Sequence, residues 1–108
     1  MSIAFLNGEF LPLSEAKVGV MTHALHYGTS VFEGIRGNWN PDQERLYVFR
    51  LREHYERFLQ GCKIMRIKVP YTAEELSNIT LELVERCGYQ QDIYIRPLAF
   101  KGAERIAV

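Results

Sequence analysis

The sequence is poor in cysteine, proline and net charge, and each deficit removes a class of protein. Its 108 residues include two cysteines and four prolines, and thirteen basic residues balance thirteen acidic ones. A disulfide scaffold is excluded, because Cys62 and Cys87 occupy apolar positions of predicted helices, where a free thiol behaves as a small hydrophobe. Zero net charge provides no field that collects nucleic acid or an anionic membrane. We therefore expect a cytoplasmic protein with no nucleic-acid or membrane partner.

Long apolar runs are also missing. The longest uncharged stretch, Val18–Phe32, contains two histidines and several polar residues, which is too polar for a membrane span. The N-terminus shows no basic segment followed by an apolar run, so no signal peptide is expected. What is present is ordinary globular composition, with 47% hydrophobic and 24% charged residues. The length then predicts a single domain, residues 1–108, with one core.

Several segments have the composition of β-strands. Asn7-Gly8 between two short apolar segments predicts a hairpin over Ile3–Leu6 and Glu9–Leu11, because both turn positions favour a positive φ. Gly37–Asp42 has the composition of a loop. Three further segments are rich in β-branched or aromatic residues and predict strands: Ser30–Arg36, Leu46–Phe49 and Ile93–Phe100.

Two segments have helical periodicity. Apolar residues recur at three- and four-residue steps from Leu51 to Arg66, which places them on one side of a helix. The second helix, Thr72–Cys87, begins with a capping box formed by Thr72 and Glu75 and is followed by Gly88 as a C-terminal stop. The order β-β-β-β-α-α-β predicts an α+β fold, with two helices packed on a mainly antiparallel sheet.

Motif searches exclude several kinds of chemistry. The sequence contains neither a phosphate-binding glycine loop nor a nucleophile elbow. His23 and His26 have the spacing H-x-x-H, but zinc requires at least a third ligand and neither cysteine lies at metal-binding spacing. We therefore expect no metal, and we interpret the two histidines as hydrogen-bonding residues that stabilise a turn before a strand.

Arginine and aromatic residues on the predicted strands form candidate carboxylate-binding pairs. Side chains alternate along a strand, so Phe32, Gly34 and Arg36 share one face, and Tyr94 and Arg96 share a face of the last strand. On periodicity alone, the favoured interpretation is an amphipathic sheet whose arginines lie in solvent.

Arg57 has two interpretations of its own. It lies on the polar side of its predicted helix, with Glu53 four residues earlier as an ion-pair partner. That pattern describes a solvent-exposed face. If another domain covers the face, however, the same arginine can bind a phosphate with charge-assisted hydrogen bonds.

Three blocks of the sequence carry a family resemblance. His23–Arg36, Val48–Arg57 and Tyr94–Leu98 closely resemble the N-terminal domain of branched-chain amino acid aminotransferases. These are fold type IV enzymes that use pyridoxal 5′-phosphate, and their small domain is α+β. The resemblance extends over nearly the whole chain.

The resemblance implies roles for individual residues. Arg57 resembles the arginine that binds the cofactor phosphate, and Arg96 resembles the arginine that receives the distal carboxylate of glutamate. Tyr27 matches a tyrosine that reaches the active site of the neighbouring subunit in the family's dimers. Four more positions resemble substrate-pocket residues: Phe32, Gly34, Arg36 and Tyr94.

The resemblance also implies a reaction and its partners. Family members transfer an amino group between branched-chain L-amino acids and 2-oxoglutarate, with glutamate as the other amino acid, and they form homodimers or higher oligomers. Their Schiff-base lysine lies in a C-terminal domain, and none of the lysines here matches its position: Lys17, Lys63, Lys68 and Lys101. We therefore expect this chain to contain no catalytic residue, to lack the C-terminal domain and to be inactive alone.

Other functions remain as alternatives. D-amino acid aminotransferase and aminodeoxychorismate lyase belong to the same superfamily, although the block Phe32–Arg36 argues against both. A different class of function is a non-catalytic remnant domain that binds a small carboxylate or a protein partner.

Overall fold

The computed structural model describes residues 2–102. In this part of the chain, a short 3₁₀ turn at Leu13–Glu15 accompanies three helices and seven strands. The helices are α1 (His23–Tyr27), α2 (Leu51–Ile64) and α3 (Ala73–Cys87). The strands are β1 (Ile3–Leu6), β2 (Glu9–Pro12), β3 (Ser30–Phe32), β4 (Ile35–Asn40), β5 (Arg45–Val48), β6 (Ile93–Ile95) and β7 (Leu98–Phe100).

The strands pair in three small antiparallel sheets. They are the hairpin β1–β2, the pair β3–β7 and a three-stranded sheet in the order β5-β4-β6. The expected α+β class with antiparallel pairing is confirmed, but the pairing is divided among several sheets. Within residues 2–102, no helix combines the length and apolar composition needed to cross a bilayer.

Signals that act over a few residues are confirmed. The β1–β2 turn has φ of 51° at Asn7 and 87° at Gly8. At the start of α3, the Thr72 hydroxyl accepts from the Glu75 amide and the Glu75 carboxylate accepts from the Thr72 amide. The helix ends at Gly88, which is left-handed with φ of 66°.

Two predicted strands are each interrupted, and the interruptions face each other. Ser30–Arg36 is wrong as one strand, because β3 ends at Phe32 and β4 begins at Ile35. Ile93–Phe100 is likewise divided into β6 and β7 at Arg96-Pro97. Phe32 pairs with Leu98 and Ile35 with Ile95, so one register passes through both breaks. The Glu33 amide donates to the Pro97 carbonyl over 3.1 Å, but Pro97 has no amide to donate in return.

The prediction of a loop over Gly37–Asp42 is also wrong. Strand β4 continues to Asn40, with Trp39 opposite Leu46 on β5, although these residues have loop propensity. Pairing with neighbouring strands overrides that propensity. The turn follows at residues 41–44, where the Asn40 side chain accepts from the amides of Asp42 and Gln43. Helix α1 escaped prediction because five residues are too few to show a period.

The core lies where α2 packs between the strands and α3. Its buried apolar members are Ile35, Tyr55, Phe58 and Cys62. The Tyr55 hydroxyl forms a hydrogen bond with Thr80 on α3. Both cysteines are free, and burial raises the pKa of the Cys62 thiol, which keeps it an uncharged packing residue.

Candidate functional site

The candidate site is built around the paired interruptions at Glu33-Gly34 and Arg96-Pro97. Burial alternates along this segment, because Glu33 and Ile35 are buried whereas Phe32 and Arg36 are exposed. Two groups of side chains result. One group lies on the exposed face of the strands, and the other joins the buried face to α2.

On the exposed face, Arg96 lies between two aromatic rings. Its guanidinium carbon is 4.3 Å from the ring centroid of Phe32 and 5.2 Å from that of Tyr94. Its Nη2 donates to the Tyr94 hydroxyl over 2.9 Å. Cation–π contact and this hydrogen bond orient the guanidinium while the residue stays exposed. An arginine held in this way can receive a carboxylate with its remaining donors.

Gly34 is the position that admits the Tyr94 ring. A Cβ at residue 34 would overlap the Tyr94 hydroxyl and lie 2.7 Å from Cζ, so a larger residue would displace the ring. Arg36 is directly opposite Tyr94 in the β4–β6 register, on the same exposed face. The structure therefore brings together five of the predicted site residues: Phe32, Gly34, Arg36, Tyr94 and Arg96.

On the buried face, Glu33 joins β3 and β4 to α2. Arg57 donates from Nε to Oε2 of Glu33 over 2.9 Å and from Nη2 to Oε1 over 2.7 Å. His54 Nδ1 lies 2.7 Å from the same Oε1. An ionised carboxylate can only accept, so His54 donates from Nδ1. The side chain is 7% exposed for Glu33 and 72% for Arg57, so the arginine extends from a buried acid into open space.

The predicted partner of Arg57 is therefore wrong. Glu53 instead lies 3.8 Å from Nε of Arg50, at the start of the same helix. Glu33 offers a planar, bidentate acceptor in a less exposed place, whereas an i,i+4 pair on a helix surface is weak and fully hydrated. Arg57 is thus neither a plain surface residue nor buried in the core.

Charge is maintained on this pair. The pKa of the Glu33 carboxyl is lowered from its ordinary value, chiefly because Arg57 donates to it. Burial acts in the opposite direction, and the hydrogen bond from His54 reinforces the lowering. The pKa of Arg57 is raised, first by its hydrogen bond to Glu33. Both groups therefore stay ionised near neutral pH.

Tyr27 belongs to another element, α1. Its ring centroid is 4.4 Å from that of His23. His23 Nδ1 forms a 2.9 Å hydrogen bond with the Thr29 hydroxyl, and His26 Nε2 donates to the Val20 carbonyl over 2.8 Å. Their interpretation as turn-stabilising residues before β3 is confirmed. Among residues 2–102, no group of three or more His, Cys, Asp or Glu side chains is arranged to hold a metal ion.

Sequence reasoning missed Glu33 and His54 as functional candidates. An acid flanked by apolar residues in a predicted strand is itself a signal, because a buried carboxylate requires donors. His54 and Arg57 are three residues apart on one helix face, which marks them as the donors. What the pattern could not supply was the packing of α2 against this strand.

Comparison with known proteins gives a consistent result. Residues 30–107 match the protein family described as Amino-transferase class IV. The "Probable branched-chain-amino-acid aminotransferase" of Aquifex aeolicus is 44% identical over 100 residues, which cover 93% of this chain and 32% of that protein.

Two solved structures are also similar. A branched-chain aminotransferase from Thermoproteus uzoniensis with norvaline aligns with a TM-score of 0.92 and 48% identity, over 99% of this chain and 35% of that one. A second branched-chain amino acid aminotransferase, from the source abbreviated T.th., was solved in complex with N-(5′-phosphopyridoxyl)-L-glutamate. It aligns with a TM-score of 0.88 and 45% identity, over 98% of this chain and 35% of that one. The chain thus spans about a third of the length of these relatives.

Proposed function

Because the chain belongs to the amino-transferase class IV family, we propose that its 108 residues form the small domain of a transaminase that depends on pyridoxal 5′-phosphate. The proposed reaction moves an amino group between branched-chain L-amino acids and 2-oxoglutarate, with glutamate as the second amino acid. The observation that carries this proposal is the presentation of Arg57 beside a second, separately oriented arginine, Arg96.

The donor set of Arg57 fits a phosphate. A guanidinium has five N–H donors, and two of these are directed at Glu33. The remaining three belong to a side chain that is 72% exposed. An anion with several acceptor oxygens matches such a set. We therefore assign Arg57 to the cofactor phosphate.

The exposed face of the strands fits the amino-acid substrate. Arg96 and Arg36 provide cations for carboxylates, and the rings of Phe32 and Tyr94 provide apolar surface for a branched side chain. The T.th. relative was solved with a molecule that joins a phosphopyridoxyl group to glutamate, which supports the same two kinds of contact.

The division of labour follows from these residues. When bound, pyridoxal 5′-phosphate supplies an electron-withdrawing ring that stabilises negative charge at the substrate Cα. This chain binds the phosphate through Arg57, orients carboxylates through arginine and presents apolar surface to the substrate. We assign the covalent attachment and the proton transfer to a lysine outside these residues.

Assembly and location are part of the same proposal. We propose a homodimer or higher homo-oligomer, in which Tyr27 on α1 reaches the neighbouring subunit's site. Exposed apolar residues on and before α1, Val20 and Leu25 among them, support a covered face there. Two free cysteines support a reducing, cytoplasmic location.

The test of the proposed function is to replace Arg96 with alanine in the full-length protein. We expect Arg96→Ala to lower kcat/KM for glutamate at least about tenfold more than for leucine, because only glutamate has a distal carboxylate to lose. Arg57→Ala should weaken the cofactor in both half-reactions. Arg86→Ala, which removes the exposed partner of Glu82 on α3, is the matched control. Equal losses for glutamate and leucine would refute the role of Arg96.

A further inference from the structure

We propose that Glu33 and His54 are positioning residues that hold the Arg57 guanidinium in the orientation that binds the cofactor phosphate. This inference rests on the proposed function, which assigns Arg57 to that phosphate. It adds two residues that do not themselves contact the ligand and that act through the arginine.

The first argument is geometric. Glu33 accepts from Nε and Nη2 of Arg57 over 2.9 and 2.7 Å, and this fork fixes the plane of the guanidinium. Oε1 of Glu33 also accepts from His54 over 2.7 Å, which fixes the carboxylate in turn. One face of the arginine is therefore occupied, and its other donors are aimed away from Glu33.

The second argument concerns exposure. An arginine that is 72% exposed has many accessible rotamers, and a ligand must restrict them when it binds. Glu33 is only 7% exposed, so it is anchored by the fold and restricts the arginine beforehand. Its own oxygens are occupied by Arg57 and His54, which assigns it to support and not to ligand contact.

The third argument is the location of Glu33 between the two arginines. Its amide donates to the Pro97 carbonyl over 3.1 Å, next to Arg96. Its chain neighbours Phe32 and Gly34 contact or admit the side chains of Arg96 and Tyr94. Glu33 thus sets the position of the phosphate-binding arginine relative to the carboxylate-binding face.

A negative charge beside an anion site also has an opposing effect. Glu33 reduces the positive potential of Arg57, so its removal could strengthen phosphate binding through charge alone. The fork opposes this, because a glutamine presents an N–H group to one of the arginine's donors and breaks one of the two hydrogen bonds. Positioning and charge therefore predict opposite signs for the same substitution.

The experiment uses the full-length apoprotein and two probes, pyridoxamine 5′-phosphate and pyridoxamine, which lacks the phosphate. We expect Glu33→Gln to weaken the phosphorylated probe about tenfold and to leave the unphosphorylated probe unchanged. The dissociation constants are measured by fluorescence titration. Glu82→Gln removes the carboxylate of an exposed Arg–Glu pair on α3 and serves as the matched control, with neither probe affected.

A double-mutant cycle tests whether Glu33 acts through Arg57. In an Arg57→Ala background, Glu33→Gln should cause no further loss of pyridoxamine 5′-phosphate. A loss that persists in that background, or one that is equal for both probes, would overturn the positioning role. Tighter binding of the phosphorylated probe by Glu33→Gln would overturn it too, because charge would then outweigh geometry.

The cycle also separates this inference from the proposed function. If Arg57→Ala leaves the affinity for pyridoxamine 5′-phosphate unchanged, the phosphate assignment of Arg57 itself fails. If Arg57→Ala weakens binding and Glu33→Gln does not, only the positioning role fails.

A second variant covers the case in which Glu33→Gln does not fold. Glu33→Asp keeps the negative charge against Arg57 and His54 but withdraws both oxygens by one methylene. We expect a smaller loss that is again confined to the phosphorylated probe and absent in the Arg57→Ala background. Unchanged affinity in a folded Glu33→Asp protein would overturn the proposal.

Discussion

Glu33 is the residue on which the electrostatics of the site depend. A carboxylate that is 7% exposed is stable in its charged form only because donors surround it. Arg57 and His54 supply three hydrogen bonds, and they come from a helix that starts far along the chain from Glu33. The acid thus couples helix packing to the state of the site.

The lowered pKa of Glu33 predicts how stability depends on pH. The charged form is favoured in the folded state, so its contribution is complete above the ordinary value of 4.5 and is lost as the pH falls through the folded pKa. Urea unfolding of wild type and Glu33→Gln should therefore differ most above pH 4.5, with the difference shrinking in more acidic buffer. Glu82→Gln, at an exposed pair, should show no such trend. Parallel acid limbs for wild type and Glu33→Gln would contradict this prediction.

At the scale of elements, α2 and α3 contribute in different ways. Helix α2 carries core residues such as Phe58 on one side and His54 and Arg57 on another, so it connects packing to the site. Helix α3 is buttressed by local capping at both ends. It packs on α2 and on β1, where it supports the site indirectly through α2.

The capping box of α3 gives a prediction for stability. Thr72→Ala removes the hydroxyl that accepts from the Glu75 amide and should lower the free energy of unfolding by about 1 kcal/mol. Ser77→Ala is the control, because its hydroxyl donates to the Ala73 carbonyl inside the helix and its loss should change stability by less than about 0.5 kcal/mol. Urea unfolding measures both. Equal effects would show that the cap does not stabilise the helix.

At the scale of the whole molecule, the described residues expose much apolar surface. Four hydrophobic side chains in residues 2–102 are buried, whereas thirteen large ones are exposed. Val20 is 81% and Leu25 63% exposed, and Phe32 and Tyr94 on the site face are 57% and 60% exposed. Such surface is typical of faces that other parts of a protein cover.

We expect the 108-residue polypeptide alone to self-associate and to have no transaminase activity. Light scattering should show a mass that rises with concentration, and Leu25→Gln should reduce this association because it removes exposed apolar surface. Activity should be absent because none of the four lysines matches the family's cofactor-binding position. A monomer over a wide concentration range, or steady turnover of leucine and 2-oxoglutarate, would contradict the prediction.

Much of the local structure could be predicted from the sequence. The Asn7-Gly8 turn, the capping box at Thr72 and the stop at Gly88 each depend on residues within one turn of chain. Helical periodicity placed α2 and α3 to within two residues at each end. The sharing of one face by Phe32, Gly34 and Arg36 followed from strand alternation, because that rule is also local.

Only the tertiary structure decided how these elements meet. Glu33 is 24 residues from Arg57, and no periodic pattern spans that distance, so the expected partner Glu53 was wrong. The extension of β4 to Asn40 depends on pairing with β5, and the breaks at Glu33 and Pro97 depend on each other. Sequence patterns report hydrogen bonds and packing within a few residues. The buried acid, its arginine and the glycine beneath Tyr94 instead required side chains from distant segments to compete for one space.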